Sequence, residues 1–175
     1  MKFIIEHLEQ ELYDWCLIEY EHIYKIAVKD NLIFTNIKNK KEQNKLRKYG
    51  QVYDKSISEL KLSNFKPKSI CILSQYSEKT LKTSDKNKFE YLVFGGILGD
   101  NPAKRRTVKL IKKLENEGLN LETRNLGEKQ MPTDTAVYVA KKILDGKKLR
   151  DFKFVDELEI EINANESVNL NFRFV

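Results

Sequence analysis

Four short apolar runs dominate this chain: Lys2–Glu6 ("KFIIE"), Asn31–Ile37 ("NLIFTNI"), Ser69–Leu73 ("SICIL") and Phe89–Phe94 ("FEYLVF"). Each is too short for a buried helix and rich in β-branched or aromatic residues, so each reads as a strand. They stay apolar instead of alternating, as strands buried on both faces do. Amphipathic stretches separate them. Leu8, Leu12, Cys16, Ile23 and Ala27 share one face of a helix expected over Leu8–Ala27, with Glu19 on the same stripe. A second helix is expected after Pro102, capped by Asp100 or Asn101 and stopped at Gly118, with Ala103, Thr107, Leu110, Ile111 and Leu114 inward. A third opens at Pro132-Thr133-Asp134, with Ala136, Val139, Ala140, Ile143 and Leu144 at helical spacing. Asn120–Asn125 reads as a further strand, and the alternating tail Phe152–Val175 as an added edge strand. Strands alternating with helices specify an α/β domain with a mostly parallel sheet.

The 175 residues fit one domain, 1–175, with a polar surface excursion of helix and loop at Lys38–Leu62 that carries six cations between Lys38 and Lys48. No apolar run has the length of a membrane span. Acids appear by the sixth residue, so the N-terminus is not read as a signal peptide, and a cytoplasmic protein without a membrane partner is expected. Cys16 and Cys71 are expected to be buried free thiols. Only two histidines are present, and no zinc-ligand spacing occurs, so no metal is expected. The net charge of +6 permits an anionic partner without requiring one.

Ligands of open α/β sheets sit beyond the carboxyl ends of the strands. Three segments leave strand ends there: "FGGILGD" (Phe94–Asp100), "RNLGEKQMPTD" (Arg124–Asp134) and the turn after "FIIEH". Three of the seven glycines, Gly95, Gly96 and Gly99, fall within the first. It is neither a Walker loop nor a GxGxxG turn. Taken alone, it is equally a ligand cradle or an empty strand-to-helix turn, and Asp100 reads as a helix cap before a site residue. His7 follows the first strand and reads as a structural histidine before a site residue. The helix after "FGGILGD" carries Lys104, Arg105, Arg106, Lys109, Lys112 and Lys113 with no acid among them. That is either a solvated face or a phosphate-contacting one. Arg105 and Arg106 stand in its first turns, where the helix dipole disfavours cations.

Three blocks, "KFIIEHLEQELYDWCLIEYEHI", "FEYLVFGGILGDNPAKRRT" and "RNLGEKQMPTDTAV", resemble a small family of SPOUT methyltransferases. That family includes a fungal arginine methyltransferase of a small-subunit ribosomal protein and relatives described as RNA methyltransferases. The resemblance spans nearly the whole chain in order, and is least clear over Lys38–Leu62 and "SQYSEKTLKTSDKN". It implies a single Rossmann-like domain with a C-terminal trefoil knot, which ordinary topology rules exclude. It also implies S-adenosylmethionine, held by Phe94, Gly95, Gly96, Leu98, Gly99 and Asp100 from one loop. Leu126, Gly127, Gln130, Met131, Thr133 and Thr135 would come from another, with the turn after Leu73 as the third wall. Leu98, Leu126 and Met131 would be the apolar walls.

For an arginine acceptor, carboxylates must orient a guanidinium that stays protonated at neutral pH. Glu19, Glu6 and Asp100 are the candidates, with Glu9 in reserve. Arg105 and Arg106 are the candidate substrate or anion contacts. A protein acceptor, ribosomal by the resemblance, leads. An RNA acceptor, supported by the basic helix, and a non-catalytic module on the same fold are the alternatives. The oligomeric expectation leans to a monomer.

Overall fold

In the computed structural model, the described residues are 1–60, 70–98, 104–119, 121–163 and 166–175. Six strands build one sheet: β1 (Lys2–His7), β2 (Leu32–Thr35), β3 (Gln51–Val52), β4 (Ile70–Leu73), β5 (Tyr91–Gly96) and β6 (Glu122–Arg124). Their order is β3-β2-β1-β5-β4-β6, and every pairing is parallel. The helices are α1 (Asp14–Ala27), α2 (Lys40–Leu46), α3 (Arg106–Asn116) and α4 (Thr133–Leu144). Among the described residues no helix is long and apolar enough to cross a membrane.

The unbroken apolar runs have the cause expected of them: both sheet faces are covered. Successive side chains of a strand point to opposite faces. Phe3, Ile5, Phe34, Leu73, Leu92 and Phe94 therefore pack with Cys16, Tyr20 and Ile23 of α1 and Val139, Ala140 and Ile143 of α4. Ile4, Ile33, Ile70, Ile72 and Val93 point the other way and pack with Leu110 and Leu114 of α3. Cys16 and Cys71 are buried free thiols, and burial pushes them up to about 11 and about 12.

Several elements depart from the sequence expectation. β5 runs through Gly95 and Gly96, which stand opposite Glu6 and His7 of β1, so two of the clustered glycines are strand residues and not loop. α1 starts at Asp14, not Leu8. The Leu8 N–H extends the ladder to the Gly96 carbonyl, 3.0 Å away, and the Leu12 N–H is taken by the Glu42 carboxylate at 3.0 Å. The Leu8 carbonyl accepts from Arg106 instead, so the Leu12-to-Leu8 bond that would close an earlier first turn is not made. β2 ends at Thr35 because Asn36 adopts φ +62°. α3 begins at Arg106, not after Pro102, and its preceding residue Arg105 is left-handed at φ +53°. Gly99 to Ala103, with the caps Asp100 and Asn101, lie outside the described residues. Gly118, at φ +82°, ends α3 as expected.

The excursion after Lys38 is more than surface. It supplies the edge strand β3 and buries Leu46, Tyr49 and Ile57. The tail does not extend the main sheet. Its halves β7 (Val155–Asn163) and β8 (Glu166–Phe174) pair with each other as an antiparallel hairpin, so their main-chain groups are satisfied locally. The Arg173 N–H ties this hairpin to the Gln130 carbonyl at 2.8 Å.

Candidate functional site

The carboxyl ends of β4, β5 and β6 open into one cleft, bounded by α3 and the start of α4. Leu73, Phe94, Leu126, Met131 and Ala136 give it apolar walls, and Ser74, Gln75, Gln130 and Thr133 place polar groups among them. The two loops singled out in the sequence therefore meet in space. Of the residues expected to hold a cofactor, Leu73, Phe94, Gly95, Leu126, Gly127, Gln130, Met131 and Thr133 line this cleft.

Glycine is required at two of these positions. A Cβ at Gly95 would stand 2.8 Å from Thr107 Oγ1, filling the space between β5 and α3. Gly127 sits at φ +102°, which side-chain-bearing residues rarely adopt. Its N–H donates to the Asn125 carboxamide oxygen at 3.0 Å, and Asn125 is itself pinned by donating to the Ser77 carbonyl at 2.7 Å. The cleft loop thus rests on a bonded turn.

Gly96, Leu98 and Thr135 sit differently. Gly96 is a packing residue: a Cβ there would collide with the hydroxyl of buried Tyr20. That hydroxyl bonds to His7 Nδ1 at 2.8 Å. His7 is accordingly a core histidine whose Nε2 has no hydrogen-bond partner among the described residues, and burial holds its pKa below the ordinary value. The Leu98 N–H donates to Glu9 Oε1 at 2.9 Å, and the Thr135 N–H to Asp134 at 2.7 Å. Gly99 and Asp100 lie outside the described residues.

The carboxylate candidates separate by environment. Glu6 is buried and saturated: Thr35 Oγ1 and Ser56 Oγ each donate at 2.5 Å and the Ile57 N–H at 3.0 Å. It lies outside the cleft wall and staples the excursion to the end of β1. Glu9 is a clamp, pairing with Arg106 at 2.8 Å while it accepts from Leu98. Glu19 is 5% exposed, and burial pushes its pKa up to about 7, with the nearby Asp134 charge adding to the rise. Its opposing donors are the Thr133 N–H and the Trp15 indole. Thr133 Oγ1 in turn donates to the Gly95 and Ile97 carbonyls at 3.3 and 3.4 Å. Glu19 is therefore one residue removed from the cleft, joined to it through Thr133. A buried carboxylate with a raised pKa beside a cleft is the pattern of a working group.

Arg105 and Arg106 both line the cleft. Arg106 also spends a donor on the Leu8 carbonyl at 3.0 Å. Arg105 stacks its guanidinium 4.9 Å from the Tyr76 ring centre at the rim. Lys104 and Lys129 complete a cationic wall that sequence reasoning assigned to the basic helix alone or passed over. Ser74, Gln75 and Tyr76 are the turn after Leu73 that the resemblance implied as the third wall, directly following a parallel strand, where ligands are expected. The cleft suits S-adenosylmethionine: apolar walls for an adenine, main chain bared at Gly95 and Gly127, and cations for an amino-acid carboxylate. Among the described residues no group of three or more His, Cys, Asp or Glu is placed to hold a metal.

Similarity to known proteins extends over the whole chain. Residues 2–175 match the family described as "Protein arginine N-methyltransferase SFM1-like". The chain is 36% identical over 186 residues to protein arginine N-methyltransferase SFM1 of Saccharomyces cerevisiae, covering 100% of this chain and 86% of that one. Its fold matches crystal structures of the yeast enzyme complexed with SAH (TM-score 0.87, 33% identity, 98% of this chain and 85% of that one) and with SAM (0.85, 34%, 98% and 80%). Dual-specific Trm10 from Thermococcus kodakaraensis shares the fold at 19% identity, with TM-score 0.65 over 85% of this chain and 94% of that one. With a family match across residues 2–175, a relative at 36% identity and the parallel α/β sheet they share, the chain belongs to the SFM1-like protein arginine N-methyltransferases.

Proposed function

We propose that this protein is an S-adenosylmethionine-dependent methyltransferase acting on an arginine side chain of a protein, and that Glu19 is the carboxylate that receives the acceptor. The carrying observation is the joint at Thr133, which links the cleft wall at Gly95 and Ile97 to buried Glu19. Cofactor and acceptor sites are thereby neighbours. S-adenosylmethionine supplies an electrophilic methyl, so the protein's task is positioning. Leu73, Phe94, Leu126 and Met131 would hold the base, and Lys104, Arg105 and Lys129 the amino-acid carboxylate. The segments that follow β5 and β6 would be the knot loops of the fold.

A guanidinium has a pKa about six units above neutrality, so prior deprotonation would cost roughly 8 kcal/mol. Glu19 avoids that cost by fixing the protonated group bidentately, which concentrates nucleophilic character on the far nitrogen, and that nitrogen releases a proton to water as it takes the methyl, so that the product is again a monocation. A guanidinium beside Glu19 also favours its ionised form, returning the pKa toward the ordinary range. Glu6, already saturated, fits the role of a structural anchor, and Glu9 that of a clamp on Arg106 and Leu98.

The test is one incubation of cell extract with methyl-labelled cofactor. Protease-sensitive label is expected, with a ribosomal protein as the first target to examine. Glu19→Gln should lower transfer at least about 100-fold with cofactor affinity nearly unchanged; loss of cofactor binding would sink the assigned role. One observation favours RNA as acceptor instead: Lys109, Lys112 and Lys113 are exposed on α3. That reading requires ribonuclease-sensitive label, and RNA binding with a log–log salt slope of about −0.7 per phosphate neutralised on single strands.

A further inference from the structure

Charge is unevenly spread along the chain. Between Phe3 and Tyr24 stand six acids and no lysine or arginine, in a protein of net charge +6. Glu6, Glu9 and Glu19 are directed inward, as described above. Glu11 and Asp14 are exposed. Helical spacing places Asp14, Trp15, Ile18 and His22 on one face of α1. Trp15 is 54% and Ile18 48% exposed, with Tyr13 at 38% just before the helix. A lone exposed apolar residue means little. Here two large ones share the first turns of one helix and a third directly precedes it, within an acidic rim, and one of them, Trp15, turns its indole toward Glu19.

The cleft itself carries the opposite sign. The described lining of the cleft includes Lys104, Arg105, Arg106 and Lys129 and no carboxylate. That wall repels a cationic acceptor, whereas the α1 face attracts one. We infer that the exposed face of α1, Tyr13, Trp15 and Ile18 rimmed by Glu11 and Asp14, docks the basic polypeptide segment that carries the acceptor arginine. Arginine stacks on tryptophan and pairs bidentately with carboxylates, which lysine does less well. Aromatic anchors within a polar rim are the usual centre of a protein contact. The inference rests on the arginine-methyltransferase reading above and adds the surface that selects the acceptor.

Trp15 is the sole tryptophan, so its emission reports on this face directly. The protein is titrated with a nona-arginine peptide at about 0.15 M salt. Nona-lysine and a single-stranded oligouridine serve as comparators. Saturable change in Trp15 emission with nona-arginine is expected, at least about fivefold tighter than with nona-lysine. By anisotropy of labelled nona-arginine, Trp15→Ala should weaken binding about tenfold and Ile18→Ala less. Cofactor-product affinity by calorimetry should be unchanged in both, which also shows that they fold. Three results would overturn the inference: emission unmoved by nona-arginine, oligouridine producing the tighter response, or self-association of the free protein that Trp15→Ala abolishes. Methyl labelling separates the two levels. If Trp15→Ala still labels protein at the wild-type rate, the docking surface is wrong and the function stands. If label enters only ribonuclease-sensitive material, the function itself is wrong.

Discussion

Glu19 makes stability and function pull in opposite directions, and its titration can be read in the folded protein. An ordinary glutamate titrates at 4.5, and burial near Asp134 pushes Glu19 up to about 7. The folded state then binds a proton that the unfolded state has released. Stability therefore falls as pH rises from about 4.5 and levels off above about 7. At about 1.4 kcal/mol per pH unit the full loss is about 3 kcal/mol. Glu19 is 5% exposed, so solvent screening takes little from this figure. His7 acts in the opposite sense, because its lowered pKa makes stability rise with pH until its ordinary value is passed. The wild-type curve alone is thus a composite, and the difference from Glu19→Gln isolates the glutamate. Urea unfolding at half-unit steps from pH 4.5 to 8.5 should show the variant gaining on wild type by about 3 kcal/mol across the range. His22→Gln run in parallel removes the contact that His22 makes with Asp134 at 3.1 Å. A flat difference curve would refute the reasoning: Glu19 would then titrate as an exposed carboxylate, and its desolvation would not be available for acceptor binding.

Three further outcomes follow from the packing. Gly96→Ala should cost about 1–3 kcal/mol by overpacking against Tyr20, and Tyr20→Phe in the same background should recover part of it, since the phenolic oxygen is the clashing atom. Additivity within about 0.5 kcal/mol in that double-mutant cycle would show that the close approach is not felt. Asp85→Ala strips buried Arg124 of its two contacts with that carboxylate, at 3.1 and 3.2 Å, leaves it Glu122 at 3.0 Å, and should cost about 1–3 kcal/mol, read as a lowered midpoint in thermal unfolding. Gly127→Ala imposes a side chain at φ +102° and should cost about 1–2 kcal/mol while weakening cofactor binding in calorimetry, because the strained loop is the cleft wall. Unchanged affinity in that variant would detach Gly127 from the site.

The alternation of apolar runs and amphipathic stretches determined the α/β class and most strand positions, because burial on both faces leaves an unbroken apolar signature that needs no tertiary knowledge. The same holds for α4, whose Pro132-Thr133 start and inward residues are local, and for the stop at Gly118. What the local pattern could not supply was where main-chain donors go. α1 begins six residues later than its periodicity implies, since Leu12 gives its N–H to Glu42 while the Leu8 carbonyl accepts from Arg106. Gly95 and Gly96 read as loop from composition but complete β5, since β1 offers them a ladder. The tail's alternation marked strands without saying that they would pair with each other. Among the carboxylates, Glu6, Glu9 and Glu19 were equivalent letters. Only the fold saturates the first with hydroxyls, ties the second to Arg106, and leaves the third buried between Thr133 and the Asp134 charge. Desolvation depends on neighbours distant in the chain, so the sequence could nominate the acids of the site, and tertiary structure alone could separate them.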